Sequence, residues 1–208
     1  MKIAAVSDFH GDVWNAHVPN DIDLLLIAGD IGHTDDLEVW LPMTGLPPNR
    51  IIGIAGNHDW VAIKKQHVLK QLPWTYLQDS FHEVDGLLIY GTPWTPPFMD
   101  WAFMLPEEEL KKKWEMIPEQ TNILLTHGPP RGCGDMPVRT YGQENGTGST
   151  SLTTRCEQLR QLKLHVFGHI HEERGKQGIY KYGGLWSNVS LLNEHYKPWD
   201  LPMAVFDL

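Results

Sequence analysis

Eight residues able to hold a cation or move a proton fall in five short groups: Asp8 with His10, Asp30, Asn57 with His58, His127, and His169 with His171. They comprise two carboxylates, one amide and five imidazoles, a mixture of hard and borderline donors that suits divalent manganese, iron or zinc. Seven of them, all but His58, are more donors than one ion takes. Two ions about 3.5 to 4 Å apart, sharing one carboxylate, would use them all and would clamp a phosphoryl group during displacement. The i,i+2 spacing of Asp8 with His10, and of His169 with His171, lets each pair aim at one point from an extended turn. The adjoining Gly11, Gly29, Gly56, Gly128 and Gly168 allow tight bends and close backbone approach.

Each group follows a compact apolar run: residues 3–6, 24–28, 51–55, 123–126 and 164–167. Apart from Thr126 and His165 the runs are continuously apolar instead of alternating, the pattern of strands buried on both faces of a sheet. Polar residues at the carboxyl ends of such strands converge, because in open α/β sheets that edge forms the ligand crevice. Gly56-Asn57-His58-Asp59 taken singly reads as a turn, and each histidine taken singly reads as structural; five such strand ends in one chain make that account untenable. Between the runs, helices are expected over residues 105–117, 60–72 and 151–162. In the first, Pro106 suits the opening turn, Glu107–Glu109 complement the dipole and pair with Lys111–Lys113 at i,i+4, and Pro118 ends it. In the third, Leu152, Cys156, Leu159 and Leu162 share a face, which makes Cys156 a core residue. Residues 178–182, 185–190 and 203–206 are expected as short antiparallel strands at one side of the sheet, and 136–149, with three glycines, as a loop beside His127 that gates or selects substrate.

A chain of 208 residues, 41% hydrophobic and 21% charged, is expected to form a single domain over residues 1–208. The net charge of −9 argues against a long nucleic acid held by a basic face, so the charge that attracts an anion must come from bound cations. Cys133 and Cys156 form no C-x-x-C pair, the opening Met1-Lys2-Ile3 has no signal-peptide character, and no apolar run reaches membrane-spanning length. A cytoplasmic protein without a membrane partner is expected; its oligomeric state is not encoded in these features.

In this order, D-x-H, G-D, G-N-H-D, H-G and G-H-x-H resemble the motifs of the calcineurin-like metallophosphoesterase family, from Asp8 to His171. The resemblance implies an α/β fold, a four-layer αββα sandwich. It also implies Asp8, His10, Asp30 and His171 on one metal, and Asp30, Asn57, His127 and His169 on the other, with Asp30 as the bridge. Gly91-Thr92-Pro93-Trp94, Thr126-His127-Gly128-Pro129-Pro130, Gly168-His169-Ile170-His171-Glu172, Asn188-Val189-Ser190 and Phe206-Asp207-Leu208 are similar to the MPPED-type, class III cyclic-nucleotide phosphodiesterase-like branch. Some members of that branch carry glycine in place of a metal-binding histidine; here both His169 and His171 are present. Gly29-Asp30-Ile31-Gly32-His33-Thr34-Asp35 lacks the arginine of the protein Ser/Thr phosphatase motif G-D-x-V-D-R-G.

The resulting expectation is a dimetal phosphoesterase, manganese being the first choice and iron, zinc or magnesium the alternatives. It would cleave phosphodiester bonds of small nucleotides, cyclic ones among the candidates, by in-line attack of a metal-bridging hydroxide. Asn57 would bind metal and substrate and neutralise phosphoryl charge, and His58 would contact substrate and protonate the leaving alkoxide. Asp59 would either favour the charged imidazole of His58 or cap the helix beginning near Trp60. A broad phosphomonoesterase and a weakly active phospho-ligand scaffold are the alternatives, with a nuclease disfavoured by the acidic surface. Trp94, Phe98, Trp101 and Phe103 are expected chiefly as packing beneath a Pro-rich loop, with a base-stacking wall as the rival reading. His33 and Asp12 are candidate supports for the ligands, and Arg131, Arg139 and Arg155 candidate anion contacts. His17, His67, His82, His165 and His195 are read as surface or core.

Overall fold

A computed structural model describes residues 1–137 and 146–208. Among these, chain order runs β1 (Lys2–Val6), β2 (Leu24–Ala28), α1 (Thr34–Met43), β3 (Ile51–Ile54), α2 (Trp60–Lys64), α3 (Gln66–Gln71), β4 (Thr75–Tyr76), β5 (Ser80–Val84) and β6 (Leu87–Thr92). It continues with α4 (Glu107–Glu115), β7 (Ile123–Thr126), α5 (Thr150–Cys156), β8 (Leu164–Phe167), β9 (Gln177–Ile179), β10 (Leu185–Asn188) and β11 (Ala204–Asp207). The strands form two sheets, ordered β11-β1-β2-β3-β4 and β5-β6-β7-β8-β10-β9.

Side chains alternate across a strand, so a strand apolar at every position has two faces to cover. In β2, Leu25 and Ile27 share a core with Leu37, Trp40 and Leu41 of α1 and Leu69 of α3. Leu24, Leu26 and Ala28 share another with Ile123 and Leu125 of β7 and Val166 of β8. A third core sets Tyr90, Leu124 and Phe167, on the far face of the second sheet, against Leu110 and Trp114 of α4 and Leu152 and Cys156 of α5. Three cores separate four layers, helix, sheet, sheet and helix, which is the αββα sandwich expected.

The differences from expectation lie at junctions and edges. The helix expected over 60–72 is two, broken at Lys65 with φ −148°. That over 151–162 ends at Cys156, and Pro106 caps α4 instead of opening its first turn. Helix α1 was not anticipated, although Asp35 and Asp36 in its first turn and the Leu37, Trp40, Leu41 spacing are helical signals. The hairpin β5–β6 turns at Asp85-Gly86, both at positive φ, as a D-G pair does. The late strands do not form one antiparallel group: β10 runs parallel to β8, β9 is antiparallel to β10, and β11 joins the other sheet antiparallel to β1. Of the loop expected over 136–149, residues 138–145 lie outside the described residues, Arg139 among them. Its return is fixed, since Ser149 bridges Pro130, caps α5 and donates to Glu107. Among the described residues, no helix is long and apolar enough to cross a membrane.

His165, on the outer face of β8, is buried, with Nε2 2.8 Å from Thr126 Oγ1 and Nδ1 2.8 Å from the Tyr180 hydroxyl. Burial pushes its pKa down to about 3. The unfolded chain, with an imidazole near 6.5, therefore takes up the proton first, and this site's contribution to stability is lost as pH falls from about 6.5 toward 3, by up to ~1.4 kcal/mol per pH unit. Urea titrations of His165→Gln between about pH 6.5 and 5 should show a flatter dependence on pH than the parent; an unchanged slope would remove His165 as the cause.

Candidate metal centre

All eight polar residues singled out at strand ends meet at one edge of the sandwich. Asp8 and His10 follow β1, Asp30 follows β2, Asn57 and His58 follow β3, His127 follows β7, and His169 and His171 follow β8, so both sheets contribute. The sheets are tied there by backbone bonds from Ser7 N to Val189 O (3.1 Å) and from Val189 N to Phe167 O (2.8 Å). The loops are also cross-linked, Asp8 N to Gly29 O and His10 N to Asp30 O, each at 2.9 Å. Asp8, His10, Asp30 and His169 all occupy the left-handed region, at φ 56°, 46°, 53° and 67°. Non-glycine residues seldom adopt it, and strain of this kind gathers at functional sites. Here it turns each side chain off its strand and into the cluster.

The distances run through Asp30. Its Oδ2 is 3.5 Å from His10 Nε2 and 3.3 Å from His127 Nε2. Asp8 Oδ1 is 3.3 Å from His171 Nε2, which is 3.2 Å from His10 Nε2. Asn57 Oδ1 is 2.8 Å from both His127 Nε2 and His169 Nδ1. The His58 ring lies edge-on to His10 at 4.7 Å. Asp8, Asp30, Asn57, His127 and His171 are buried.

The donor chemistry calls for cations. Ala28 O and Asn193 O can only accept, so the ring nitrogens facing them, Nδ1 of His127 (2.9 Å) and Nδ1 of His171 (3.0 Å), carry hydrogens. In its neutral, metal-binding form each ring then turns an Nε2 lone pair inward, toward carboxylate and amide oxygens that are themselves acceptors. Lone pairs facing lone pairs need a positive charge among them. The groups Asp8/His10/His171 and Asp8/Asp30/His127 each bring ligand atoms within 4.8 Å of one another, and so does His10/Asp30/His58. The residues fit two divalent ions.

The electrostatics show the same need for positive charge, supplied here by a proton on His127. Burial opposes ionisation of Asp30, yet the charge and hydrogen bond of His127 hold its carboxyl at about 2, and the reciprocal attraction lifts His127 to about 9 against burial. Asp8 is held well below the carboxylate range, against burial, by its hydrogen bond with His171. Burial and the His127 charge push His169 down to about 3.

Several supports were invisible in the sequence. Asp59 stands at the N-cap of α2 without capping it through its side chain, which accepts instead from Gly56 N (2.7 Å), Ile31 N (3.0 Å) and Gly32 N (3.2 Å). This buried carboxylate clamps the loop after β2 to the loop after β3. Ser7 Oγ donates to Asp8 Oδ2 (2.6 Å), and Asn188 Nδ2 donates to Ile170 O (2.8 Å), steadying the loop of His169 and His171. His33 is exposed beside Gly11, and Asp12 accepts from Asn15, so the supports expected of those two are supplied by Ser7, Asp59 and Asn188. Arg131 pairs with Asp135, and Arg155 bonds the Ile117 carbonyl; neither lines the cavity at the cluster. The aromatic set divides: Trp94 and Phe103 pack in the core, whereas Phe98 and Trp101 line that cavity.

Gly168 shows how little room the cluster leaves. A Cβ there would lie 1.9 Å from Ser7 Oγ and 2.0 Å from Asp8 Oδ2. Gly168→Ala is expected to displace the Asp8 carboxylate, costing about 1–3 kcal/mol of stability and about 10²-fold in any turnover that depends on the cluster. Thermal melts and kinetics on the same preparation check both; parental values in each would show that the contact relaxes freely.

Residues 1–173 match the family model described as calcineurin-like phosphoesterase. The chain is 33% identical over 236 aligned positions to human metallophosphoesterase domain-containing protein 1, covering 98% of this chain and 70% of the human one. It is 46% identical to a UPF0046 protein of Caenorhabditis elegans, covering 100% of this chain and 60% of the nematode protein. Among solved structures it is similar in fold to a dimetal phosphatase from Danio rerio, with TM-score 0.58 and 9% identity, covering 99% of this chain and 91% of that one. A Thermus thermophilus protein superposes with TM-score 0.59 and 16% identity, covering 91% and 88%.

Proposed function

Because this chain belongs to the calcineurin-like phosphoesterase family, we propose that it is a dimetal phosphodiesterase acting on small nucleotides, cyclic nucleotides among them. The observation that carries the reading is the inward convergence of acceptors. Ring nitrogens of His10, His127 and His171 face the carboxylates of Asp8 and Asp30, those of His127 and His169 meet the Asn57 amide oxygen, and Asp30, Asn57, His169 and His171 line a cavity of about 400 Å³. That volume falls within the ~300–1,000 Å³ of small-molecule sites. Asp8, His10, Asp30 and His171 would hold one ion, and Asp30, Asn57, His127 and His169 the other, with manganese the first choice. When bound, the ions supply Lewis acidity, which lowers the pKa of water and neutralises phosphoryl charge.

The chain's own groups do the rest. Asp30 Oδ1 accepts from His58 N (2.8 Å), which fixes the backbone of His58 to the carboxylate between the two sets of ligands. The His58 ring lines the cavity against Trp101, 4.1 Å between centroids, where it can hand a proton to a leaving oxygen. Asn57 aims its amide oxygen at His127 and His169. Phe98 and Trp101 give the same cavity apolar surface that suits a nucleoside. A reducing, cytoplasmic setting belongs to the same reading and is supported by Cys133 and Cys156, both buried free thiols.

Hydrolysis of bis-p-nitrophenyl phosphate and of p-nitrophenyl phosphate, each with manganese and with chelator, tests the proposal. Metal-dependent cleavage favouring the diester is expected. A preference for the monoester would make the protein a phosphomonoesterase, and cleavage of neither would make it a phospho-ligand scaffold.

A further inference from the structure

Beside the cluster, the same cavity is lined by Phe98, Met99, Trp101, Tyr196, Glu172 and Glu194, which the proton and metal chemistry does not employ. Tyr196 is held there at a cost. Its φ of 55° is left-handed, rare for a bulky aromatic residue. The turn that imposes it is closed by Asn193, whose Oδ1 accepts from His195 N (2.9 Å) and Lys197 N (3.1 Å), while its carbonyl accepts from Tyr196 N (2.9 Å). The same carbonyl accepts from His171 Nδ1, so one turn sets both a candidate ligand and the tyrosine. The Tyr196 ring stands edge-on to His10 at 4.9 Å and to His171 at 5.2 Å, yet the residue keeps 54% of its surface exposed. Across the cluster, Trp101 leans on His58, with Phe98 and Met99 exposed beside it. Beyond the cluster, the charged side chains among the described lining residues are carboxylates; no lysine or arginine is among them.

We propose that Trp101 and Tyr196 form a leaving-group subsite that accepts a planar aromatic group bearing no negative charge beyond the reacting phosphoryl. The inference rests on the phosphoryl group sitting at the cluster, as the proposed function requires. Indole and phenol rings offer stacking and edge contacts to any aromatic face. A second anionic group would meet the carboxylates of Glu172 and Glu194, the latter 3.5 Å from His195 Nε2, and no lysine or arginine among the described residues lines the cavity to attract it, so singly phosphorylated substrates are selected over di- or triphosphates and bisphosphates. Tyr196 lies outside the residues matched by the family model.

The test is calorimetric and needs no turnover. The manganese-loaded protein is titrated with methylphosphonate, phenylphosphonate and 4-carboxyphenylphosphonate. Phenylphosphonate is expected to bind roughly tenfold more tightly than methylphosphonate. Trp101→Ala and Tyr196→Ala should each remove most of that preference, and Tyr196→Phe should keep it. The ring carboxylate should weaken binding by about tenfold, and Glu194→Gln should narrow the penalty. Equal phenyl-to-methyl ratios in the parent and both alanine variants would overturn the subsite, as would a ring carboxylate bound as tightly as phenyl, or no phenylphosphonate binding. Turnover of bis-p-nitrophenyl phosphate, followed in parallel, separates the two claims. Phenyl preference without turnover counts against the proposed function alone, whereas turnover without phenyl preference counts against the subsite alone.

Discussion

Asp30→Asn is expected to strip the protein of bound divalent metal and to lower hydrolysis of bis-p-nitrophenyl phosphate by at least about 10³-fold. The substitution preserves shape and removes one negative charge. That charge sits at 3.5 Å from His10 Nε2 and 3.3 Å from His127 Nε2, between the two groups of ligands, so a neutral amide weakens both at once. The other Asp30 oxygen accepts from His58 N, a bond the variant keeps if the amide oxygen takes that position. The fold should therefore survive, since the carboxylate lies at the edge of the sandwich and outside its three cores. Elemental analysis of dialysed protein reads the metal, kinetics the activity, and circular dichroism the fold. Full metal content with activity within about threefold of the parent would show that Asp30 bridges nothing.

His58→Ala should lower turnover by about 10²–10⁴-fold when the leaving group is an alkoxide, and far less when it is p-nitrophenolate. An alkoxide leaves poorly without a proton, whereas p-nitrophenolate is stable as the anion. The His58 ring lines the cavity between His10 and Trp101. Geometry also places it within reach of the space shared by His10 and Asp30, so it could instead help hold an ion. Metal content decides between the roles. A proton donor can be removed with metal retained and with a loss that grows as the leaving group worsens. A ligand cannot, and an equal loss on both esters accompanied by loss of metal would assign His58 to the metal centre.

Much of the fold is legible because its strands are covered on both sides. Leu24–Ala28 must be apolar at every position when α1 and α3 cover one face and β7 and β8 the other, and a run of that kind stands out in the chain. The polar groups that end such runs stand out for the same reason. Elements half exposed were harder to read. Strand β5 alternates exposed and half-buried residues, and α1 carries Pro42 inside its last turn. The break at Lys65 and the transfer of β11 to the far sheet depend on partners distant in the chain, which local pattern does not contain.

At the site, the chain by itself determined the types of donor, their order and their place at strand ends, because residue chemistry and burial pattern are both local properties. Only the tertiary structure decided which atoms face inward. Ala28 O and Asn193 O select the hydrogen-bearing nitrogens of His127 and His171, and the Asp59 side chain binds the amides of Gly56, Ile31 and Gly32 instead of capping α2. Likewise, Tyr196 reaches the cavity through a strained turn more than twenty residues beyond His171. Ala28 O, Asn193 O and the amides of Ile31 and Gly32 come from segments far in the chain from the groups they bind, and proximity of that kind exists only once the strands have assembled.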